Sequence, residues 1–432
     1  MSLAIGIDIG TSGARAAAVD RSGRTVAEGR APLASEPYPG TNDPRAVDAE
    51  SWWRVAETAL GDCLDALHRT GMGHGREEVR AIAVDGTSGS MVLVDGGVRP
   101  LTHGLLYDAG GFDAEAKAIA PHAPPSSIAR GPGSALARLL HLQSHALRPG
   151  TLCHQADFVA ARLIGAPGLS DESNALKTGY DPHARAWPDW LFEAGARRDV
   201  LPEVRPVGAP FGTLGPVMTE RFGLPSDVTI VAGASDGTAA FLGATDGVAE
   251  PGTAVTSLGT TLTLKIASPV AVEDATRGIY SHRVGDTWLP GGASNTGGGA
   301  LLKHFKPERI AELSERIDPD WEPAFAAYPL PGPGERFPTA DPFMEPIEGP
   351  RPGDDTHFLH ALLHGIARIE RDGYRALADL GAPYPTRVLT SGGGAANRAW
   401  TAIRQRLLGV PVERAEADPA LGMARLAMRA MR

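Results

Sequence analysis

The feature that most constrains this chain is a strand, a short turn of Gly and Thr, and a second strand, which occurs once in each half. In the first half, the apolar run Ala4–Asp8 leads into the turn Gly10–Gly13 and then into Arg15–Asp20. In the second half, two apolar runs flank Gly259-Thr260-Thr261. Short apolar runs bounded by turn residues are typical of buried strands. Hairpins mixed with strand–helix segments predict a mixed α/β sheet in each of two similar domains.

The length of the chain supports two domains. It has 432 residues, of which 42% are hydrophobic and 21% charged, so each half can bury a core of its own. The weak repeat puts the predicted boundary near residue 230, which gives domains 1–230 and 231–432. The final helix of the second domain is expected to pack back on the first.

Composition argues against several classes of protein. The formal net charge is -10 and no dense Lys/Arg run occurs, which argues against a nucleic-acid partner. We interpret Arg404, Arg406, Arg425 and Arg429 as the solvated face of one or two helices. No apolar run is long enough to cross a bilayer, so no membrane partner is expected. Two cysteines are too few for a disulfide framework, and a reducing, cytoplasmic setting is the expectation.

The first turn has the features of a phosphate site. Gly10 and Gly13 allow close approach of the backbone, and turn N–H groups can hold an anion. Thr11 and Ser12 add hydroxyl donors. Asp8 would repel a bare phosphate, so we expect Mg²⁺ between them, held by Asp8 through water. The alternative is an ordinary hairpin turn with an Asp at its mouth.

Two further Gly-rich turns lie in the second half. Gly259-Thr260-Thr261 is a second candidate for a phosphate turn. Gly392-Gly393-Gly394 follows a predicted strand, and Asn397 begins a predicted helix. Glycines there would let a flat base lie against the backbone, and Asn397 could bind the base or cap the helix. No Gly-Lys-Ser/Thr occurs, so a Walker loop is excluded.

Asp236 follows a predicted strand and precedes a predicted helix over 237–244. One interpretation is a helix N-cap, a position that Asp favours. The other is a general base that accepts a proton from a hydroxyl during phosphoryl transfer. The two roles are compatible, because a helix N-terminus favours a negative charge.

A polar cluster, Asp85-Gly86-Thr87-Ser88, ends the predicted strand Val79–Val84. Met91–Val94 is predicted to pair with that strand as a hairpin. Because ligands bind at strand ends in α/β folds, the cluster could hold a polyol. The alternative is a turn whose polar groups satisfy one another.

Taken in order, these motifs resemble the FGGY family of carbohydrate kinases, within the actin/hexokinase/Hsp70 ATPase superfamily. The resemblance covers nearly the whole chain. It implies two ribonuclease-H-like α/β domains, with mixed sheets flanked by helices, around a deep interdomain cleft. The motifs that carry it are Ile7–Ser12, Gly233–Gly237, Ser257–Thr261, Asn295–Gly299, Ser391–Asn397, Leu408–Val412 and Ala420–Ala424.

The resemblance also implies roles for individual residues, with ATP, Mg²⁺ and a small sugar as ligands. Asp236 would be the catalytic base, and Asp8 and Thr11 would act with it. The nucleotide would contact Gly10, Thr11, Ser12, Gly259, Thr260, Thr261, Gly298, Gly393, Gly394 and Asn397. The sugar would contact Asp8, Gly13, Arg15, Thr87, Ser88 and Asp236.

Within the family, four segments look like the short D-ribulose kinases of cyanobacteria and plants: Gly10–Arg15, Asp85–Ser88, His154–Asp157 and Ser173–Pro182. The chain lacks the Trp-x-Asp-x-Arg motif of many larger members, and Lys303 stands where an aromatic residue is common. D-Ribulose is therefore the expected substrate, with D-xylulose or L-ribulose as alternatives and a homodimer as the family-level expectation. An actin-like ATP-binding switch protein is the alternative from another class.

Overall fold

The computed structural model of the chain describes residues 2–34, 38, 43–69, 75–248 and 250–431. Its contacts divide the chain into two compact units. The first unit runs to Val248 and also contains His282–Gly285 and the residues from Asp418 onwards. The second unit contains the described residues from 250 to 281 and Asp286–Ala417. The predicted boundary at residue 230 differs from this division, because it would cut a strand that lies wholly in the first unit.

The first unit is built from helices around three sheets, of six, four and two strands. Its strands are β1 (Leu3–Ile9), β2 (Gly13–Val19), β3 (Thr25–Pro32), β4 (Ala46–Val47), β5 (Val79–Gly86), β6 (Met91–Val94), β7 (Gly104–Leu105), β8 (Thr151–His154), β9 (Leu169–Asp171), β10 (Glu203–Arg205), β11 (Pro210–Thr213) and β12 (Thr229–Ser235). Its helices before the second unit are α1 (Glu50–Arg69), α2 (Asp113–Ile119), α3 (Ala135–His145), α4 (Gln155–Ile164), α5 (Glu172–Thr178), α6 (Asp189–Glu193), α7 (Pro216–Phe222) and α8 (Asp236–Ala244).

A mixed six-stranded sheet, in the order β11-β12-β5-β1-β2-β3, organises the first unit. β1, β2 and β3 are antiparallel neighbours, whereas β5 pairs in parallel with both β1 and β12. Ile5, Ile7 and Ile82 are fully or almost fully buried, as their apolar runs predict. Because β1, β5 and β12 run in the same direction, their carboxyl ends meet at one edge of the sheet.

The predicted hairpin between β5 and β6 is wrong. β6 lies in a separate four-stranded sheet of order β4-β7-β6-β8, where Val92 is opposite Cys153. Gly89 has a φ of 92°, which turns the chain away from β5 after the polar cluster. All residues of β6 are buried, so it needs neighbours on both faces and both edges.

The second unit has one mixed sheet and a long helix. Its strands are β13 (Thr253–Leu258), β14 (Leu262–Ile266), β15 (Tyr280–Val284), β16 (Thr287–Ser294), β17 (Arg387–Ser391) and β18 (Val412–Arg414). The residues of β15 are divided between the second unit and the first. Its helices are α9 (Gly298–Leu302), α10 (Pro307–Ser314), α11 (Asp355–Asp379) and α12 (Arg398–Leu408). The strands follow the order β16-β14-β13-β17-β18, with β13 parallel to β17 and antiparallel to β14. The sheet buries one face against α11, through side chains such as Phe358 and Leu362.

A buried ion pair joins α11 to α12. Arg404 Nε and Nη2 donate to the two carboxylate oxygens of Glu370 at 2.6 and 2.7 Å. Arg404 Nη1 donates to Thr390 Oγ1 at 2.9 Å, and Thr256 Oγ1 donates to Glu370 at 2.6 Å. Arg404 and Glu370 are both fully buried. The interpretation of Arg404 as part of a solvated face is therefore wrong, because its position in α12 faces the core of the second unit.

Helix α13 (Pro419–Ala430) follows the second unit in the chain but belongs to the first. It lies directly on the backbones of β1 and α8. A Cβ atom on Gly6 would lie 1.9 Å from Ala420 O, and one on Gly422 would lie 2.1 Å from Ala239 O. These glycines are required by close packing of backbone on backbone.

Among the described residues, no helix combines the length and the apolar character needed to span a membrane. Cys63 and Cys153 are both buried free thiols. Burial raises the pKa of the Cys63 thiol to about 12, so this group stays protonated and packs as a small apolar side chain.

Candidate active site

An acidic cluster forms at the carboxyl edge of the parallel strands of the first unit. Asp8 of β1 and Asp85 of β5 are direct partners in the strand ladder. Asp236 follows Ser235, which is opposite Gly86 on β5, and is the first residue of α8. Asp418, the N-cap of α13, is close enough to Asp8 and Asp85 for its negative charge to raise the pKa of both. The fold thus gathers acidic residues from both ends of the chain.

Burial decides which of these carboxyl groups ionises. Burial, with the nearby charges of Asp418 and Asp236, raises the pKa of Asp8 to about 6, although Asp85 and Arg15 act in the opposite direction. Asp85 is fully buried, and burial together with the charge of Asp8 raises its pKa well above the usual range. Neither carboxyl oxygen of Asp85 has a hydrogen-bond partner among the described residues, so no donor offsets the cost of burying its charge. Asp85 is therefore the protonated member of the pair.

Asp236 is half-buried at the start of α8. Its Oδ1 accepts the N–H of Gly237 at 2.7 Å. The N-cap itself is Ser235, whose hydroxyl is 2.9 Å from Ser173 Oγ. Ser235 thus holds the N-cap position predicted as one role of Asp236, although its hydroxyl makes no capping hydrogen bond, and the Asp236 carboxylate stays accessible at the positive end of the helix.

The first predicted phosphate turn is a tight hairpin. Gly10 N donates to Gly13 O at 2.9 Å, and the side chains of Thr11 and Ser12 between them are exposed. Nearby, Arg15 forms an ion pair with Asp418 at 3.5 Å, and this contact holds the positive charge of Arg15 beside the acidic cluster. The hairpin therefore presents two hydroxyl groups at the same edge of the sheet as Asp8.

The structure gives different roles to Thr87 and Ser88, the two hydroxyl residues predicted to bind the sugar. Thr87 Oγ1 lies 2.7 Å from Gln155 Oε1 and 2.6 Å from Ser90 Oγ, so it holds the turn together. The Ser88 hydroxyl is buried and has no hydrogen-bond partner among the described residues. Since buried hydroxyls are rarely left unpaired, Ser88 is the better candidate for a ligand contact.

The second unit contains a cavity of about 960 Å³. Six of the predicted nucleotide residues line it, namely Gly259, Thr260, Gly298, Gly393, Gly394 and Asn397. Its remaining wall is mainly apolar and includes Leu301, Ile310, Ile317 and Trp400. Thr261 is not among the lining residues, although it belongs to the same turn. An apolar cavity with a floor of glycine backbone has the shape and chemistry that a flat aromatic base needs.

Backbone hydrogen bonds and one helix cap build this cavity. Gly298 N donates to Gly259 O at 2.8 Å, which fixes the start of α9 on the β13–β14 turn. Asn397 Oδ1 accepts the N–H of Trp400 at 3.0 Å, and its Nδ2 donates to Ser314 at 2.8 Å. Asn397 therefore caps α12 and joins it to α10, which is one of the two roles that the sequence left open. A Cβ on Gly394 would lie 2.7 Å from the Trp400 ring, so only glycine fits there.

Lys303 lies outside the set of residues that line the cavity. Its Nζ donates to Leu330 O at 2.9 Å and to both oxygens of Glu348 at 3.1 Å. The lysine at the position where an aromatic residue is common is thus engaged in an ion pair, and the apolar wall is supplied by other side chains.

Sequence reasoning missed two acidic residues of the cluster. Asp85 belongs to the polar cluster that the sequence predicts could hold a polyol, but its pairing with Asp8 is not predicted there. Asp418 precedes Pro419, and Asp followed by Pro is a typical helix start that could have been recognised. Its place beside Asp8 is a tertiary effect of α13 that no local pattern indicates.

Comparisons with known proteins agree with this architecture. Residues 254–431 match the sequence model of the C-terminal domain of the FGGY family of carbohydrate kinases. The chain is 26% identical over 456 residues to the xylulose kinase of Escherichia coli (strain K12), covering 98% of this chain and 89% of that protein. It is 24% identical over 444 residues to the autoinducer-2 kinase of Yersinia enterocolitica, covering 94% of this chain and 82% of that protein.

A solved structure confirms the predicted fold class. The crystal structure of a xyloylose kinase from Brucella ovis superimposes with a TM-score of 0.85 at 22% sequence identity, covering 99% of this chain and 90% of that one. The predicted fold class, two α/β domains with mixed sheets flanked by helices, is therefore confirmed.

Proposed function

We infer that the chain is a carbohydrate kinase of the FGGY family, since residues 254–431 match the C-terminal domain of that family, and we propose that it transfers the γ-phosphate of ATP to a hydroxyl of a small ketose, D-ribulose first. The observation that carries this proposal is the acidic cluster of the first unit. There a half-buried Asp236, at a helix N-terminus, shares one edge of the sheet with the Asp8–Asp85 pair.

We assign the nucleotide to the cavity of the second unit. The glycine floor at Gly393 and Gly394 and the apolar wall suit adenine, and the Gly259-Thr260 turn suits the phosphates. Gly298 joins the turn through its hydrogen bond to Gly259 O and belongs to the same surface. Thr261 would act through the turn that it completes, since it does not line the cavity itself.

Asp236 is the base in this proposal. The sugar hydroxyl attacks the γ-phosphorus, the bond to the bridging oxygen of ADP breaks, and the hydroxyl proton passes to the Asp236 carboxylate. One oxygen of Asp236 is held by Gly237 N, which fixes the orientation of the group while leaving lone pairs for the proton. Positioning and electrostatic stabilisation together provide almost all of the catalysis in phosphoryl transfer.

The oxygen ligands of the first unit fit Mg²⁺. Asp8, Asp236 and Asp418 provide carboxylate oxygens, and the buried oxygens of Asp85 have no hydrogen-bond partner among the described residues. When bound, the ion would neutralise charge on the phosphates. We place Asp8 as its main holder through water, because Asp8 is the member of the pair that ionises. Thr11 and Ser12 of the neighbouring hairpin would contact the phosphate.

For the sugar, we propose contacts from Ser88, Arg15, Asp8 and Asp236, at the surface formed beside Gly13. Thr87 would position this turn rather than bind the ligand, since its hydroxyl is already engaged. D-Ribulose rests on the motifs shared with the short D-ribulose kinases. D-Xylulose is the second candidate, because a relative named xylulose kinase aligns along 98% of the chain.

The test is ADP release from Mg–ATP with D-ribulose, D-xylulose, L-ribulose, glycerol or no sugar. Strong stimulation by D-ribulose supports the whole proposal, and stimulation by another sugar keeps the kinase but refutes the substrate. A rate indifferent to every sugar would instead favour the ATP-binding switch.

The base is tested with Asp236→Asn, which should lower turnover by about a hundredfold or more, as expected for loss of a general base. Asp227→Asn is the matched control, because Asp227 is exposed and precedes the amino end of β12. Turnover of Asp236→Asn within a few-fold of the unchanged protein would remove Asp236 from this role.

A further inference from the structure

Three metal-ligating side chains meet elsewhere in the first unit. Asp43 precedes β4, His103 precedes β7, and His141 lies on α3. Each offers one ligand atom, and these atoms lie within 4.8 Å of one another. None of the three has a part in the proposed kinase site. Two imidazoles and one carboxylate are a ligand set that divalent transition metals bind, with positions left for water.

A second carboxylate prepares His141 for this role. Its Nδ1 lies 3.1 Å from Glu115 Oε1, and both side chains are mostly buried, at 14% and 19% exposure. The neutral imidazole therefore carries its proton on Nδ1 and donates it to Glu115, which leaves the lone pair on Nε2. Histidines that bind metals commonly have such a carboxylate behind the ring, which fixes the tautomer and orients the ring.

His103 supplies an unsatisfied nitrogen. Its Nε2 is buried and has no hydrogen-bond partner among the described residues. A buried polar atom without a partner costs free energy in the folded protein, and such atoms are uncommon. A metal ion bound to this nitrogen would satisfy it.

Asp43 is held in place by Arg45. The Nε and Nη2 atoms of Arg45 lie 2.9 and 2.8 Å from the Asp43 carboxylate oxygens, and its Nη1 donates to Gly110 O at 2.9 Å. The backbone N–H of Arg45 also donates to Asp43 Oδ1 at 2.9 Å, so a metal ion would share or displace one of the donors on the roughly four lone-pair sites of this carboxylate. The positive charge of Arg45 will weaken cation binding, and this argues for an ion with a strong preference for imidazole rather than for Mg²⁺ or Ca²⁺.

We propose that Asp43, His103 and His141 bind one divalent transition-metal ion that prefers imidazole, for which Zn²⁺ is the representative. The ion would join the segment before β4 to the segment before β7 and to α3. It is thus a structural clamp on the first unit, independent of the proposed phosphoryl transfer.

A competing explanation for metal binding is also present in the chain. His145 is four residues after His141 on α3 and is exposed, with the two ring centroids 4.2 Å apart. Two histidines at this spacing on one helix can bind a metal by themselves. The spacing His141-x-x-x-His145 is also a sequence pattern that could have drawn attention to this region.

The experiment uses the full chain, freed of metal by chelation and dialysis, and measures Zn²⁺ binding by calorimetry and thermal unfolding. We expect one ion per chain, and a rise in melting temperature of about 5 °C at a hundredfold excess over Kd. Co²⁺ gives a second readout, because its visible absorption reports on the ligands. Absence of stoichiometric Zn²⁺ binding overturns the proposal.

Variants separate the two explanations. His103→Ala and Asp43→Asn should abolish the binding and the thermal shift, whereas His145→Ala should keep both. His122→Ala is the matched control, because His122 is a partly exposed histidine paired with Glu193. Binding that is lost in His145→Ala but kept in His103→Ala assigns the ion to the exposed pair and refutes the proposal. His103→Gln, with melting compared in the absence of metal, covers the case in which His103→Ala does not fold.

Discussion

Arg404→Met should destabilise the second unit strongly. The guanidinium makes three hydrogen bonds, two to Glu370 and one to Thr390, at 2.6, 2.7 and 2.9 Å. Methionine matches the length of the alkyl chain, but it leaves the Glu370 carboxylate fully buried with the Thr256 hydroxyl as its hydrogen-bond donor. The main effect of the substitution is therefore that the buried charge of Glu370 loses its ion-pair partner, rather than that packing is lost.

The expected magnitude follows from this geometry. Removing one partner of a buried ion pair typically costs about 3–5 kcal/mol. Because the pair is bidentate and both residues are fully buried, we expect a value in that range. The remaining Thr256 contact favours its lower half, about 3–4 kcal/mol, which is a large share of the ~5–15 kcal/mol that stabilises a typical domain.

Urea unfolding followed by circular dichroism measures this loss, and hydrogen exchange of peptides from α11 and α12 locates it in the second unit. Arg406→Met is the control on the same helix, since Arg406 is about one-third exposed, and it should cost less than about 0.5 kcal/mol. The double variant Arg404→Met/Glu370→Leu should recover most of the loss, because no unpaired charge remains. A cost of Arg404→Met below about 1 kcal/mol, or no recovery in the double variant, would refute the reasoning.

Three further predictions follow from other sites. Gly394→Ala places a Cβ 2.7 Å from the Trp400 ring, so the KM for ATP should rise about tenfold or more with little change in the KM for sugar, measured by steady-state kinetics. Ser88→Ala should raise the KM for sugar by about three- to tenfold and leave the KM for ATP unchanged, since one hydrogen bond is lost. Burial lowers the pKa of His360 to about 4, from 6.5 in the unfolded chain. Between these two values the unfolded chain binds a proton that the folded protein does not, so acidification from pH 6.5 to 4 should lower the free energy of unfolding by roughly 3 kcal/mol. His360→Leu should reduce that pH dependence, and an unchanged profile in urea melts would contradict this.

Local patterns were enough to predict the features that depend on neighbours in sequence. The Gly and Thr turns at Gly10–Gly13 and Gly259–Thr261 join the predicted strand pairs, because apolar runs bounded by turn residues have few other solutions. The helix that follows β12 begins with Asp236, which a strand followed by small residues also predicted.

What the sequence could not predict depends on contacts between distant segments. β6 is an apolar run after a turn, and its pattern is the same whether it pairs with β5 or with β8. Arg404 has the local spacing of a surface residue, and only the docking of α12 on α11 brings Glu370 within 2.6 Å of it. Asp418 likewise joins the acidic cluster only because α13 packs on β1.

Because α13 is synthesised after the second unit but packs on the first, the first unit is completed after the second. A ribosome completes Ala249–Ala417 before it makes Asp418–Arg432, so the second unit can fold while the first still lacks a helix that lies on β1. Until then the surface of Gly6 and its neighbours on β1 is uncovered, and the nascent first unit is the part that chaperones would have to protect. Nonsense codons before residue 418 should therefore yield insoluble chains even where the second unit is intact.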